Sequence, residues 1–175
     1  RQRWLPLLAG GTGLGAFALT EPDAGSDAAN IRSSARRTED GYVLSGRKQW
    51  CTNGAHAAVI MGMFRTSEAG ARGISAFLVP GGTPGVTIER ETEKLGIRTS
   101  STCDVAFEDA RVGVDAMLGT EGEGFINAMR ALQGGRIGIA AQACGILAAC
   151  LQSSVKFAKE RVAFGKPIGA YEGVS

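Results

Sequence analysis

Hydrophobic positions change their spacing once along this chain. Between residues 16 and 107, short runs of apolar and β-branched residues alternate with turns rich in Gly, Asp, Asn and Pro, a pattern typical of β-strands. The runs occupy residues 16–19, 42–44, 59–64, 74–79, 86–88 and 105–107. We therefore predict a β-domain that folds as a barrel or a sandwich.

The second region begins after the glycine-rich segment 119–124. Its apolar residues recur at intervals of three, four or seven, which indicates an amphipathic α-helix. These positions are Phe125, Met129, Leu132, Ile139, Ala143, Ile146, Cys150 and Phe157. We predict one long helix of an incomplete helical bundle, which ends before Gly165. The predicted fold class is α+β and multidomain.

The composition is that of a globular protein, with 44% apolar residues and a net charge of +2. The 19 basic residues are dispersed rather than gathered in a stripe, which argues against a nucleic-acid partner. No single extended hydrophobic run stands out, so we predict no membrane span. The 4 cysteines form no CxxC pair and the chain has 1 histidine, which argues against a metal site and for a reducing compartment.

The first candidate motif is TEPDAGSD at residues 20–27, which directly follows an apolar strand. Gly25 can adopt a positive φ without steric cost, which would let backbone N–H groups converge on an anion near the Ser26 hydroxyl. Asp23 and Asp27 would repel an anion, so we expect them to bond turn amides or cap the chain. The alternative is an ordinary hairpin or Asx turn without a ligand.

The second candidate motif is GRKQWCTNG at residues 46–54. Trp50 and Thr52 are two residues apart, so on a strand they project from the same face. An indole with a hydroxyl donor beside it suits a planar heteroaromatic ring such as a flavin. The alternative is a tryptophan that packs in the core.

Five motifs follow one another in the order TEPDAGSD, GRKQWCTNG, KLGIRTSSTCDVAFEDARV, GRIGIAAQA and AKERVAFGKPI. In this order they resemble the acyl-CoA dehydrogenase family along nearly the whole chain. The resemblance implies the end of an N-terminal helical domain at residues 1–16 and a middle β-domain that binds flavin and acyl-CoA at 17–118. It implies the start of a C-terminal helical bundle at 119–175, so that about half of the family's chain is present.

The resemblance implies that the β-domain binds FAD. Thr52 would hydrogen-bond the flavin ring near N5, Thr20 would bond its pyrimidine edge, and Trp50 would pack on the ring. Ser26 would bond the FAD pyrophosphate and lie close to the acyl-CoA substrate. The full set implied for this face is Phe17, Leu19, Thr20, Gly25, Ser26, Trp50, Cys51 and Thr52.

A second implied set lies on the predicted helix, where Gln133, Gly134, Gly135 and Arg136 would contact acyl-CoA. A fixed cation at Arg136 suits this anionic cofactor. The alternative for Arg136 is an interhelical salt bridge. The family usually has Asp where this chain has Gln133, so one charge is absent here.

A third implied set reaches the FAD of a neighbouring subunit. Arg161 would meet the pyrophosphate and Phe164 the adenine end, while Glu172 stands where the family commonly carries Gln. The alternative for Arg161 and Phe164 is a solvated helix end with a phenylalanine packed on it. The resemblance implies a homodimer or homotetramer in which two subunits complete each FAD site.

The family's reaction needs a carboxylate that removes the Cα proton of the substrate. The resemblance places this base beyond Ser175, and the minority position on the long helix is Gly135 here. We do not expect the other nearby carboxylates to act as this base. Some lie near the helix ends and others in a turn expected after the last predicted strand: Glu108, Asp109, Glu121, Glu123 and Glu160. No catalytic residue is therefore predicted within the chain.

The resemblance implies FAD-dependent α,β-desaturation of an acyl-CoA, with electrons passed to an electron-transfer flavoprotein and short-chain or general substrates favoured. One alternative is a flavin oxidase or monooxygenase of the same fold that uses O₂. Another is a non-catalytic binding or assembly module, since residues 1–175 alone are expected to be inactive. The expected compartment is the cytoplasm of a bacterium or the mitochondrial matrix of a eukaryote.

Overall fold

The computed structural model describes residues 3–174, and residues 1, 2 and 175 of the predicted outer domains lie outside this part. The chain forms two compact units, one ending at Met129 and the other beginning at Arg130. Helix α1 is Leu5–Ala9 and helix α2 is Gly124–Glu160. The strands are β1 (Leu14–Ala18), β2 (Ser34–Arg37), β3 (Gly41–Thr52), β4 (Ala57–Arg65), β5 (Ile74–Pro80), β6 (Val86–Glu91), β7 (Thr102–Gly113), β8 (Val162–Ala163) and β9 (Lys166–Pro167).

Seven strands of the first unit form one mixed sheet, in the order β1-β4-β2-β3-β7-β6 with β5 also paired to β4. Strands β1 and β2 run parallel to β4, and the other pairs are antiparallel. Every predicted apolar run overlaps a strand, so the predicted β-domain is confirmed. The sequence pattern missed β2, because Ser34–Arg37 is mostly polar and shows no apolar alternation.

Strand β7 is longer than the sequence pattern predicts, and Glu108 and Asp109 lie inside it rather than in a turn. The prediction of turn residues was wrong because the strand is bulged here. Asp109 has a φ of 52°, and its carboxylate accepts a hydrogen bond from the Ser45 hydroxyl at 2.9 Å. The pairing register of β3 shifts between Leu44 and Gly46, opposite this point. A bulge interrupts the alternation of faces although the strand continues.

Four buried aromatic rings occupy the core of the β-domain. Phe77 meets Tyr42 and Phe64 edge to face, with ring centroids 5.0 and 6.0 Å apart, and Phe64 meets Phe107 in the same way at 4.9 Å. Each such pair contributes about 0.5–1.5 kcal/mol beyond the burial of its surface. Strands β4 and β7 are not neighbours in the sheet, so the Phe64–Phe107 contact joins strands that hydrogen bonds do not.

The start of helix α2 is fixed by glycines that pack against β5. Gly122 has a φ of +85°, and its N–H donates to the Ser75 hydroxyl at 2.9 Å. A Cβ at Gly124 would lie 2.4 Å from the backbone of Ser75. Only glycine fits such an approach, which explains the glycine-rich segment that precedes the helix.

Helix α2 contains 37 residues and is therefore about 55 Å long. The predicted long helix is confirmed, and it ends at Glu160, before Gly165 as expected. By length and composition alone it could cross a membrane, so the expectation that no extended apolar stretch stands out was wrong. A long core helix of a soluble protein can meet the same criterion of length and composition, so this property alone does not place α2 in a membrane.

Beyond α2, the second unit contains a short hairpin formed by β8 and β9. Phe164 and Gly165 occupy its turn, with φ values of 50° and 84°. Two consecutive left-handed residues are typical of a type I′ turn, which matches the twist of the paired strands. The Tyr171 hydroxyl donates to the Ala163 carbonyl at 2.9 Å, which ties the following segment to the hairpin.

Candidate cofactor site

Strand β3 is bulged where the second motif lies. Its register with β7 shifts between Lys48 and Cys51, and Trp50 has a φ of 55°. Trp50 is 59% exposed and Thr52 is also exposed, while Cys51 between them is buried. Trp50 and Thr52 thus lie on the open side of the strand, and the alternative of a core tryptophan is wrong.

The end of β1 lies directly beside this bulge. The Gln49 N–H donates to the Thr20 carbonyl at 2.8 Å, and the Cys51 thiol is 3.5 Å from the Phe17 carbonyl. Phe17 and Thr20 are half-buried. We call the group Phe17, Thr20, Trp50 and Thr52 the Trp50 wall. It combines the exposed indole of Trp50 with the exposed side chain of Thr52 and the half-buried side chain of Thr20.

Two residues that the sequence assigned to this wall have their side chains in the protein interior. Cys51 is fully buried, and burial raises the pKa of its thiol to about 12, with Cys103 adding to the effect. Leu19 is buried as well. The expectation that these side chains line the open face of the wall needs correction, because both are buried in the described chain.

The TEPDAGSD segment forms a tight turn in which Glu21 and Ala24 exchange two backbone hydrogen bonds, of 3.0 and 3.1 Å. Gly25 follows without a positive φ, so the predicted left-handed glycine is wrong. A Cβ at Gly25 would meet nothing within 4 Å. Ser26 is exposed, and its hydroxyl has no hydrogen-bond partner among residues 3–174. The hydroxyl is therefore free to bond a ligand.

The two aspartates of this turn do not bind the backbone as predicted. Asp23 instead pairs with Arg32 at 3.3 Å, and both side chains are exposed. Asp27 precedes a short 3₁₀ helix without a side-chain capping bond. The carboxylate that bonds backbone amides here is Glu21, which accepts the N–H groups of Arg32 and Ser33 at 2.7 and 3.0 Å. A longer side chain reaches inward where the short aspartates cannot.

Glu21 and Lys48 form a buried ion pair that the sequence analysis missed. The Lys48 ammonium donates to the Glu21 carboxylate at 2.7 Å and to the Leu19 carbonyl at 3.3 Å, and Lys48 is 0% exposed. Burial lowers the pKa of Lys48 to about 8, although the charge and hydrogen bond of Glu21 oppose this. Burial raises the pKa of Glu21, but Lys48 and the bonded amides outweigh this and leave it below its usual value.

A signal for this pair was present in the sequence. Counting by two from Tyr42 and Leu44 places Lys48 on the buried side of the strand. A buried lysine requires a carboxylate partner, and Glu21 is an acidic residue of the first motif, three residues beyond the end of β1.

Asp104 is a second residue that the sequence analysis missed. It is buried on β7, where its carboxylate accepts the Trp50 N–H at 3.3 Å and lies 3.7 Å from the Arg47 guanidinium. It therefore satisfies the amide that the bulge removes from the strand ladder. A bulge cannot be located from the alternation of faces alone, so the sequence offered no signal for this contact.

The residues predicted to contact acyl-CoA lie together on α2, and all are exposed: Gln133, Gly134, Gly135 and Arg136. A Cβ at Gly134 or Gly135 would meet nothing within 4 Å. Arg136 forms no ion pair within the described part of the chain, so the alternative of an interhelical salt bridge has no partner there.

The third predicted set lies just beyond α2. The Arg161 N–H donates to the Phe157 carbonyl at 2.8 Å, so Arg161 directly follows the helix end. Phe164 is 98% exposed at the tip of the β8–β9 hairpin. It does not pack on the helix, so that alternative is wrong. Glu172 is exposed further along the same unit.

Comparison with known proteins agrees with this architecture. The family model "acyl-CoA dehydrogenase, middle domain" matches residues 16–110, and the model of the C-terminal domain of the same family matches residues 122–175. The short-chain specific acyl-CoA dehydrogenase of Megasphaera elsdenii is 45% identical over 177 residues, which cover 100% of this chain and 46% of the relative. The chain belongs to the acyl-CoA dehydrogenase family.

Solved structures of this family superimpose closely on the chain. Butyryl-CoA dehydrogenase from Megasphaera elsdenii matches with a TM-score of 0.94 at 44% identity, over 99% of this chain and 46% of that one. A structure described as an electron transferring flavoprotein of Acidaminococcus fermentans matches with a TM-score of 0.93 at 44% identity, over 98% of this chain and 45% of that one. The chain thus spans about half the length of the relatives it matches.

Proposed function

We propose that this chain supplies the flavin-binding part of an FAD-dependent acyl-CoA dehydrogenase. The observation that carries the proposal is the Trp50 wall, in which a strained, exposed indole lies on a bulge that is hydrogen-bonded to the backbone of Thr20 and is followed by the exposed Thr52. A bulky residue at φ 55° carries strain of about 1–3 kcal/mol. Strain of this kind is retained where the surroundings enforce it, and it is common at ligand sites.

The described residues fit FAD in chemistry. Trp50 offers a flat apolar face for the flavin ring, and Thr20 and Thr52 offer donors to its polar edge. Ser26 offers a free hydroxyl for the pyrophosphate, and the open space at Gly25 lets a ligand approach the backbone. When bound, FAD would accept a hydride from Cβ of an acyl thioester.

Helix α2 would supply the acyl-CoA contacts. Gly134 and Gly135 lie in the helix interior, where each costs about 1 kcal/mol relative to alanine. Their bare surface lets a ligand or another backbone approach, and the neighbouring Arg136 provides a cation for the phosphates of CoA. Gln133 contributes a neutral amide at the same place.

The second unit would complete the FAD site of another copy of the chain. Arg161 would bond the pyrophosphate, Phe164 would stack near the adenine and Glu172 would lie near the same end. The smallest flavin-binding assembly is then a dimer, and a homotetramer is two such dimers.

The general base would come from a part of the enzyme outside residues 1–175. The carboxylates around the start of α2 have other tasks in the described chain. Glu121 lies 3.9 Å from the Arg37 guanidinium, and the Glu123 carboxylate accepts the Thr120 N–H at 3.2 Å. Short-chain acyl-CoA is the proposed substrate class and an electron-transfer flavoprotein the proposed acceptor, in agreement with the two relatives from Megasphaera and the Acidaminococcus structure.

Flavin binding can be tested on the chain through its own tryptophans. Trp4 and Trp50 are the two tryptophans present, so Trp4→Phe leaves Trp50 as the single reporter. FAD should quench Trp50 emission in a saturable way. Ser26→Ala should make the free energy of FAD binding less favourable by about 1–3 kcal/mol, the usual contribution of a hydrogen bond to a charged group. Undiminished emission at saturating FAD would contradict the proposal.

The reaction type requires the complete enzyme of which this chain is proposed to be part. Butyryl-CoA should reduce an acceptor dye without forming peroxide, whereas peroxide formation would favour the O₂-using alternative. Residues 1–175 alone should show no turnover above free FAD, because loss of a positioned base typically costs a factor of about 10²–10⁴.

A further inference from the structure

The buried Lys48–Glu21 pair is costly for the fold. Removing two charges from water is expensive, and well-packed apolar residues in their place are often as stable or more stable. Lys48 is nevertheless well satisfied, because it bonds Glu21 and the Leu19 carbonyl and lies 5.1 Å from the centre of the Phe64 ring. Stability alone is therefore a weak explanation for keeping this pair.

The position of the pair suggests another explanation. Lys48 bonds the carbonyl of Leu19, which directly precedes Thr20, and its own chain neighbour Gln49 bonds the carbonyl of Thr20 at 2.8 Å. Trp50 follows immediately in the left-handed conformation. The lysine thus joins the end of β1 to the last residues before the bulge.

Glu21 extends this connection to a third segment. Its carboxylate accepts the amides of Arg32 and Ser33, so the β1 end, the loop before β2 and the β3 bulge converge on one ion pair. A charged lysine has three N–H donors and no acceptor, so it can hold two acceptors from separate segments at once. No apolar replacement can make these bonds.

We propose that Lys48 and Glu21 are positioning residues that hold Thr20 against the Trp50 bulge, so that the Trp50 wall is formed before a ligand binds. This inference rests on the proposed flavin function for its consequence, but the link itself is a property of the free chain. A preformed wall lowers the cost of ordering side chains on binding.

The test uses three variants of the whole chain, each in the Trp4→Phe background. These are Lys48→Met, Glu21→Gln and the double variant, in which both charges are removed together. Each single variant leaves one buried charge without its partner and should lower the urea midpoint, while the double variant should recover much of that loss. The wall should not recover, because no ammonium remains to bond the Leu19 carbonyl.

Three readouts follow the wall separately from overall stability. In the double variant, hydrogen exchange of the Gln49 amide should accelerate relative to a core amide such as that of Phe64. Acrylamide quenching of Trp50 should change, and FAD affinity should fall about 3- to 10-fold, as expected for side chains that must be ordered on binding. Val79→Ala, a core change on β5, should lower stability without changing these readouts.

Asp23→Asn is the matched control, because Asp23 lies on the same turn as Glu21 and its pair with Arg32 is exposed rather than buried. It should leave all readouts unchanged. A double variant with wild-type exchange at Gln49, wild-type quenching and wild-type FAD affinity would overturn the inference. If the parent chain fails to bind FAD at all, the proposed function fails instead, and exchange and quenching still decide whether the pair positions the wall.

Discussion

Trp50 and Phe164 share one strained backbone conformation but lie in different structural surroundings. Both are bulky aromatic residues with left-handed backbones, at φ 55° and 50°, and both are exposed. Such a conformation costs about 1–3 kcal/mol in a non-glycine residue. Each unit therefore holds a strained aromatic residue open to solvent.

The two regions differ in what enforces the strain. Around Trp50, a buried ion pair and the Asp104 carboxylate bond the adjoining backbone. The described contacts around Phe164 are local: a two-residue turn joins strands of two residues each, the Ile168 N–H donates to the Arg161 carbonyl, and the Tyr171 hydroxyl donates to the Ala163 carbonyl. The Trp50 wall is thus built into the core, whereas the hairpin is held locally. This is the arrangement expected if a second subunit or a ligand completes the hairpin site.

The largest effect on stability is expected when the ion pair that supports the Trp50 wall is broken. Glu21→Gln leaves Lys48 buried without its partner, which should lower the free energy of unfolding by about 3–5 kcal/mol at pH 7. Asp23→Asn, at an exposed pair, should change it by less than about 1 kcal/mol. Urea denaturation of both variants measures the difference. Equal small losses would mean that the buried pair does not support this region.

The same variant has a defined pH dependence. The pKa of Glu21 lies below its usual value in the folded chain, so its stabilising contribution is present above pH 4.5 and is lost as the pH falls through the folded value. The stability gap between wild type and Glu21→Gln should therefore narrow as the pH falls below 4.5 through the lowered pKa of Glu21. Denaturation midpoints at several pH values measure this gap, and a constant gap would contradict the assignment.

The contrast between the two regions also shows what could be predicted from the sequence. The short apolar runs located five strands and the end of β1, because core strands are buried at consecutive positions, as residues 42–44 and 74–77 are. The three-four spacing located α2. The motifs located Trp50, Thr20 and Thr52. The support of the wall was missed, because Lys48, Glu21 and Asp104 act through contacts between residues 27 to 54 positions apart. The β8–β9 hairpin was missed because its strands contain two residues each.

The next effect tests whether the hairpin region completes a shared flavin site. Arg161→Ala should lower the affinity for FAD by roughly 10- to 100-fold, as expected for loss of a charge-assisted hydrogen bond. The fold should survive, because the contacts of Arg161 with Phe157 and Ile168 are made by its backbone. Lys159→Ala is the matched control, since it removes a neighbouring exposed charge.

Flavin occupancy provides the decisive readout for this variant. If two copies share each FAD, occupancy of the wild-type chain should fall on dilution, because binding then depends on the concentration of dimers. Absorbance of bound flavin against subunit concentration measures it. A monomer that keeps stoichiometric FAD at high dilution would limit the cofactor site to the Trp50 wall.

The smallest effect isolates the backbone strain itself. At a left-handed position glycine is unstrained, whereas alanine keeps most of the strain of the aromatic residue. The Gly variant should therefore be more stable than the Ala variant by about 1 kcal/mol at both Trp50 and Phe164.

Relative to wild type, however, the change in the free energy of unfolding caused by glycine should differ in sign between the two sites. Phe164→Gly removes a ring that is 98% exposed, so relief of strain should leave the chain as stable as wild type or more stable. Trp50→Gly also loses the buried part of the indole and should destabilise. Urea denaturation of the four variants measures both comparisons, and an Ala variant as stable as the Gly variant at either site would show that its backbone is not left-handed in solution.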